Sequence, residues 1–299
     1  MKNLIVSATD NKYSHLAVEL YQSLKPSIDN YDFAIFDCGL DEDIREYFIK
    51  KNVQVAKPEW EFELNPLRTR GRNHLRNIFS RLYMEKYFPD YENYIWIDSD
   101  TWINCPETFS YYIEGAQKTG FAITPQVDRS YKKLISIEWL FWKFPKKINT
   151  INFKNISKSI SLSLGKKYAG YLTLNGGCFS YSTKYDGLKN IRSNLRLASK
   201  KGRIFGSDQV AFVLSHYHDG IDFELLPAYC NWLCDLSIPK FSIKKSKFVE
   251  PFIPNHNIGV MHLAGMEGDR KKNYLYRKIK TIEDDVLLNK SIRFEGYKD

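Results

Sequence analysis

The sequence predicts an α/β protein with a mostly parallel central sheet and helices on both faces. Three observations carry this. Short apolar runs alternate with segments of helical period through the first third of the chain, and that alternation favours a parallel sheet with crossover helices. The polar clusters Ala8-Thr9-Asp10-Asn11 and Asp98-Ser99-Asp100 directly follow apolar runs, at the strand ends where such sheets bind ligands. With 299 residues, 43% hydrophobic and 26% charged, the chain is long enough for a substantial core and ordinary in composition.

The elements follow in order. Asn3–Ala8 is an apolar strand, and Ser14–Leu24 is a helix with Leu16, Leu20 and Leu24 on one face. Phe33–Phe36 is the second strand. Asp41–Lys51 is a helix with acids at its start and lysines at its end, as the helix dipole favours. Val53–Val55 is a third strand, and Asn73–Phe88 reads as one long helix closed by Pro89. Tyr94–Ile97 is a buried strand. The aromatic run Ile135–Phe144 leads into Pro145–Lys167, read as an insertion or flexible lid spanning about 135–168. Tyr171–Tyr181 returns to strand, and Ser207–Tyr217 is a helix capped by Ser207 or Asp208. Phe223–Leu226 and Gly259–Leu263 are short strands. Residues 1–270 form the main domain. Residues 271–299 form a basic C-terminal extension, read either as a solvated, partly helical end or as a segment facing an anionic membrane.

The net charge of +9 suits an anionic partner without naming it. Five cysteines at wide spacing form no zinc pattern and read as free thiols in a reducing compartment. Asp10 ends the first apolar run too early for a signal peptide, and no run reaches the roughly 18 apolar residues of a membrane span. The expected location is cytoplasmic, with peripheral contact on the inner face of a membrane as an option. No helix-turn-helix, zinc or RNP-type signature occurs, so nucleic acid is not an expected partner despite the charge.

Two carboxylates one residue apart, Asp98 and Asp100, would repel unless a cation lay between them. Mg²⁺ or Mn²⁺ prefers such oxygen ligands; an ordinary Asp-Ser-Asp turn is the alternative. His262, followed by Ala264 and Gly265, would complete the site and favour Mn²⁺, although a lone histidine beside a strand is more often structural. Asn175-Gly176-Gly177 is a turn, a bulge or a surface for close ligand approach. Asp208-Gln209 opens a helix, either as a cap or with both side chains facing a cleft. Trp139, Phe141, Trp142 and Phe144 are either an exposed aromatic platform or core.

In this order the motifs resemble the retaining, metal-dependent glycosyltransferases of family eight, the galactosyltransferase and glycogenin type. The matching residues are Ala8-Thr9-Asp10-Asn11-Lys12-Tyr13, Arg81-Leu82, Asp98-Ser99-Asp100, Leu174-Asn175-Gly176-Gly177, Asp208-Gln209, Leu226-Pro227 with Asn231, and His262-Leu263-Ala264-Gly265. The resemblance spans about Asn3 to Lys272. It departs at the family's closing Lys-Pro-Trp, where Gly268 stands with Lys271 nearby.

The resemblance implies a Rossmann-like GT-A fold and transfer of a hexose from a UDP-sugar to a glycan or lipid-linked acceptor, with retention. It implies Mn²⁺ (or Mg²⁺) on Asp98, Asp100 and His262. Ala8, Asp10, Asn11, Tyr13, Arg81, Ser99, Asn175, Gly176, Gly265 and Lys271 would bind the donor, and Asp208 and Gln209 would face its anomeric carbon. The alternatives are an inverting GT-A or other sugar-nucleotide transferase with Glu138, Glu250 or Glu267 as base, an inactive binding protein on the same fold, and a basic nucleic-acid-binding protein.

Overall fold

The first strand, β1 (Asn3–Thr9), has buried side chains from Leu4 to Thr9, the mark of a strand covered on both faces. The structure is a computed structural model describing residues 2–25, 30–131, 136–141, 143–283 and 287–296. Helix α1 (Ser14–Ser23) leads to β2 (Asp32–Asp37), parallel to β1 in the register Leu4↔Asp32 to Thr9↔Asp37. Helix α2 (Glu42–Lys50) has Glu42 and Asp43 in its first turn and Lys50 in its last, and crosses to β3 (Gln54–Ala56). These elements match the expected ones to within a residue or two.

The expected long helix over 73–88 is not formed. The chain instead makes α3 (Pro66–Thr69), a 3₁₀ turn at Asn73–Arg76, α4 (Asn77–Ser80) and α5 (Met84–Tyr87). Tertiary partners take bonds a continuous helix would use. Arg192 Nε donates to the Leu82 carbonyl at 2.7 Å. The Met84 amide donates to the Tyr181 hydroxyl at 2.8 Å. The apolar periodicity still buries Ile78, Phe79, Leu82 and Met84.

Strand β4 (Asn93–Ile97) lies parallel to β1 and ends just before Asp98. It is followed by β5 (Thr101–Ile103), α6 (Thr108–Thr119) and β6 (Phe121–Pro125). A hairpin, β7 (Ser136–Leu140) and β8 (Phe144–Asn149), leads into α7 (Ile151–Ser159) and α8 (Leu162–Lys167). Of the segment read as an insertion or flexible lid, residues 151–167 are a helical pair, with Ile156 and Tyr168 buried beside residues of the next helices. Of the proposed aromatic platform, Phe141 is 82% exposed. Trp142 and the side chains of Trp139 and Phe144 lie outside the described residues.

Strand β9 (Leu174–Ser182) inserts antiparallel between β4 and β6. Helices α9 (Leu188–Lys201) and α10 (Ser207–Val213) follow, then a π turn at Leu214–His218 and β10 (Glu224–Leu225), parallel to β6. Among the described residues, seven strands form the main sheet in the order β10-β6-β9-β4-β1-β2-β3. It is mostly parallel, as expected. One face packs Phe36, Trp96 and Phe179 against Leu195 and Phe212; the other packs Ile5, Ile35 and Ile95 against Leu20, Phe48 and Phe109.

Strands β11 (Trp232–Leu233), β12 (Lys240–Ser242), β13 (Lys247–Val249) and β14 (Val260–His262) complete the next section. A small sheet orders β11-β14-β5, with His262 opposite Thr101. The basic end is a β-hairpin, β15 (Tyr276–Lys280) and β16 (Leu287–Ser291), not a partly helical tail. It buries Ile279, Ile292 and Phe294 beside Trp102 and Met261, and Trp102 Nε1 donates to the Ile292 carbonyl at 2.7 Å. Tyr274 and Tyr276 are exposed, and Tyr297 lies outside the described residues. Among those residues no helix is long and apolar enough to cross a membrane.

Candidate metal centre

The carboxyl ends of β1, β2 and β4 open onto a cavity of about 180 Å³ lined by Ala8, Asp10, Tyr13, Arg81, Ser99 and Arg270, among others. Asp98 and Asp100 project into it from the turn after β4. The small sheet brings His262 to them from far along the chain. Ligand atoms of Asp98, Asp100 and His262 all lie within 4.8 Å of one another.

Each member is held. The Asp98 amide donates to the Gly177 carbonyl at 2.8 Å, and Trp96 Nε1 donates to Asp98 Oδ1 at 2.9 Å. Asp100 Oδ1 faces His262 Nε2 at 3.4 Å, and its Oδ2 accepts from Arg270 at 3.2 Å. The Leu263 amide donates to the Asp100 carbonyl, locking the two strands beside the site.

The tautomer of His262 follows from a chain of three bonds. The Gly177 amide, which can only donate, reaches Asn175 Oδ1 at 2.7 Å. That orients Asn175, so Asn231 Nδ2 donates to the same oxygen at 3.1 Å. Asn231 Oδ1 is then an acceptor, and His262 Nδ1 donates to it at 2.9 Å. The remaining ring nitrogen, Nε2, points at a carboxylate. A lone pair there is tolerable only with a proton or a cation between the two. Burial opposes a charged ring, but the Asp100 carboxylate outweighs it, so the pKa of His262 lies above its ordinary value. Burial likewise opposes the Asp100 carboxylate, yet His262 and Arg270 hold it below the usual carboxylate range. Two oxygens and one oriented nitrogen form a donor set that fits Mn²⁺.

Behind this group lies a buried cation. Arg81 is only 4% exposed; its guanidinium reaches Asp208 Oδ2 and the Gly176 carbonyl, both at 2.9 Å, and Asp98 Oδ1 at 3.3 Å. It stacks on Trp96, 4.4 Å from the ring centroid. Arg81 thus ties the strand after α8, the helix α10 and the Asp98 turn together. Burial raises the pKa of Asp208, and Arg81 opposes that rise. The carboxylate does not cap α10: the N-cap is Gly206, with no side-chain capping bond. Gln209 is half-buried beside it.

The glycines of β9 are explained by contact. A Cβ on Gly177 would collide with the His262 ring, and one on Gly176 would stand 2.5 Å from Asp208 Oδ2. Gly265 has φ +74°, and a Cβ there would lie 2.8 Å from Asp235 Oδ2. Asp10 accepts from the Tyr13 amide at 3.2 Å, while Asn11 is exposed outside the cavity lining. Arg270, not Lys271, lines the cavity; Lys271 is exposed and its carbonyl accepts from Arg293.

Sequence reasoning missed Cys38, His74 and Phe205 in the lining, and it named Asn231 as a motif match without its supporting role. Burial pushes the Cys38 thiol up to about 12, so it is not a nucleophile at neutral pH. Of the candidate bases, Glu250 is engaged with His256 at 2.8 Å, and Glu138 and Glu267 are exposed.

No family model and no curated protein sequence matches this chain. Among solved structures, the bifunctional glycosyltransferase WbbM in its apo form is similar at 13% identity and a TM-score of 0.49, over 76% of this chain and 39% of that one. The chain therefore spans well under half of WbbM. The galactosyltransferase LgtC, in complex with donor and acceptor sugar analogues, is similar at 13% identity and a TM-score of 0.48, over 87% of this chain and 86% of that one. The glucosyl-3-phosphoglycerate synthase of Mycobacterium tuberculosis, with Mn²⁺, UDP and phosphoglyceric acid, is similar at 13% identity and a TM-score of 0.43, over 76% of this chain and 68% of that one.

Proposed function

We propose that this chain is a metal-dependent GT-A glycosyltransferase that moves a hexose from a UDP-sugar to a glycan or lipid-linked acceptor, with retention. The supporting observation is the meeting of Asp98, Asp100 and His262 at the mouth of the cavity, with the Nε2 lone pair of His262 turned toward them by Asn231 and Asn175.

Asp98, Asp100 and His262 hold the divalent ion, which supplies positive charge to a leaving diphosphate. Tyr13 and Asp10 take the nucleoside end of the cavity. Arg270, which reaches Asp100 at 3.2 Å, can turn toward a phosphate and contribute a charge-assisted bond. Arg81 keeps the Asp98 carboxylate oriented and opposes the rise that burial gives the Asp208 carboxyl. Gln209, whose side chain makes no hydrogen bond among the described residues, is the polar group left for the donor sugar.

A thermal-shift screen of UDP-sugars with and without Mn²⁺ tests the reading, because a ligand of the native state raises apparent stability. At least one UDP-sugar should stabilise the chain only with the metal, and Asp100→Asn should abolish both that shift and metal-dependent UDP release. UDP release by Asp100→Asn at the wild-type rate would defeat the assignment. NMR of the product's anomeric proton decides retention.

A further inference from the structure

Beside the metal centre runs a groove whose walls, among the described residues, carry positive charge and no acid. Phe205, 74% exposed, stands at its entrance. It lines the metal-centre cavity and also a second cavity of about 290 Å³ bounded by Arg68, Arg72 and Arg203. A third, smaller hollow sharing Phe205 is bounded by Lys158 and Arg203. Among the described residues, no Asp or Glu lines either of the two outer hollows.

The cations differ in what they do. Arg68 donates to the carbonyls of Ser199 at 2.7 Å and Lys200 at 2.5 Å, so it clamps the α3 loop onto the end of α9. Arg72, Arg203 and Lys158 are exposed, and among the described residues none makes an ion pair or a side-chain hydrogen bond. Other exposed lysines, such as Lys50, Lys118 and Lys184, have acid partners at 2.7, 2.7 and 3.4 Å. Clustered cations without counter-charge repel one another and are stabilised by a bound anion. They also stand outside the cavity that the donor diphosphate would occupy, whose own cations are Arg81 and Arg270.

We propose that this groove seats the acceptor, and that the acceptor is an anionic glycan. A sugar ring lies on the exposed face of Phe205, and a phosphate or carboxylate substituent is gripped by Arg72, Arg203 and Lys158. This rests on the glycosyltransferase reading of the adjoining site, since it names that site's acceptor class.

The test uses the full chain and a matched set of oligosaccharides: one neutral, one carrying a phosphate monoester and one carrying a uronic acid, with a short single-stranded oligonucleotide as competitor. Binding is measured by calorimetry at low and moderate salt. Both charged glycans should bind about tenfold or more tighter than the neutral one, the scale of one charge-assisted hydrogen bond. The triple variant Arg72→Gln/Arg203→Gln/Lys158→Gln should lose that preference while keeping its thermal shift with UDP and Mn²⁺, which also reports that it folds. Equal binding of the neutral glycan overturns the proposal, as does a preference that survives in the triple variant. An oligonucleotide that binds tighter than either charged glycan assigns the groove to nucleic acid instead. If the charged-glycan preference holds but no UDP-sugar binds with metal, the transferase reading falls and the acceptor role falls with it.

Discussion

Asn231 Oδ1 accepts the Nδ1 proton of His262 at 2.9 Å, so the amide decides which ring nitrogen is free to bind a metal. Asn231→Leu removes the acceptor and leaves the ring unanchored. Loss of such an outer partner typically weakens metal binding by about 10–100-fold. Calorimetric titration with Mn²⁺ should show a loss of that size. Unfolding measured without metal should move far less than it does in His262→Leu, which empties the space beside Gly177.

Arg81 sits between two carboxylates, Asp208 at 2.9 Å and Asp98 at 3.3 Å. Arg81→Met leaves Asp208 buried without its partner, and breaking such a pair costs about 3–5 kcal/mol. Urea unfolding near neutral pH should show that loss. The double variant Arg81→Met/Asp208→Asn should recover much of it, because the fully buried carboxylate is then gone and only the more exposed Asp98 has lost a partner. A single variant as stable as wild type would mean that the Arg81–Asp208 pair does not hold this part of the fold.

Much of the fold was legible because the apolar runs of β1, β2 and β4 are short, bounded and separated by amphipathic helices. The convergence of Asp98, Asp100 and His262 was legible only as an ordered set of motifs, since nothing local links Asp100 to His262; the pairing of β5 with β14 does that. Three readings give way, wholly or in part, where tertiary contacts override local pattern. The 73–88 helix breaks because Arg192 and Tyr181, distant in sequence, take its backbone groups. The 145–167 segment looked polar, yet every few residues it supplies an apolar side chain, Ile156 among them, to the main core. The basic end looked solvated because its lysines and arginines hid Ile279, Ile292 and Phe294.

Gly177 is the position where the His262 ring crosses β9. Gly177→Ala should displace that ring, costing about 1–3 kcal/mol of stability as overpacking does and a larger share of Mn²⁺ affinity. Gly170→Ala is the control: nothing stands within 4 Å of its added Cβ, so both measurements should stay near wild type.

Asp37 closes β2 just before Cys38 enters the cavity lining. Burial alone would raise its carboxyl, but the amides of Leu40 and Gly39 and the Arg45 guanidinium outweigh burial and hold it below the usual range. A depressed folded-state pKa adds stability that is complete above the unfolded value, near 3.9, and is lost as pH falls through the folded one. Asp37→Asn should therefore lower stability at neutral pH by about 1–3 kcal/mol and flatten the acid side of the profile. Equal acid-side slopes for variant and wild type would exclude Asp37 as a source of that pH dependence.

The C-terminal hairpin bears on the metal centre through packing. Ile279, Ile292 and Phe294 are buried against the cluster that holds Trp102 and Met261, cross-strand partners on β5 and β14. Trp102 Nε1 bonds the Ile292 carbonyl at 2.7 Å, and Arg293 pairs with Glu19. Ending the chain after Leu275 exposes that surface. Each of the three side chains contributes about 1.5–3 kcal/mol through burial, so the melting temperature should fall steeply. Mn²⁺ affinity should fall with it, because the register that sets His262 opposite Thr101 loses its cover. A hairpin acting only as a membrane-facing appendage predicts the reverse: melting temperature and Mn²⁺ affinity unchanged, and binding to anionic vesicles lost. Measuring all three on one truncated protein separates the two roles.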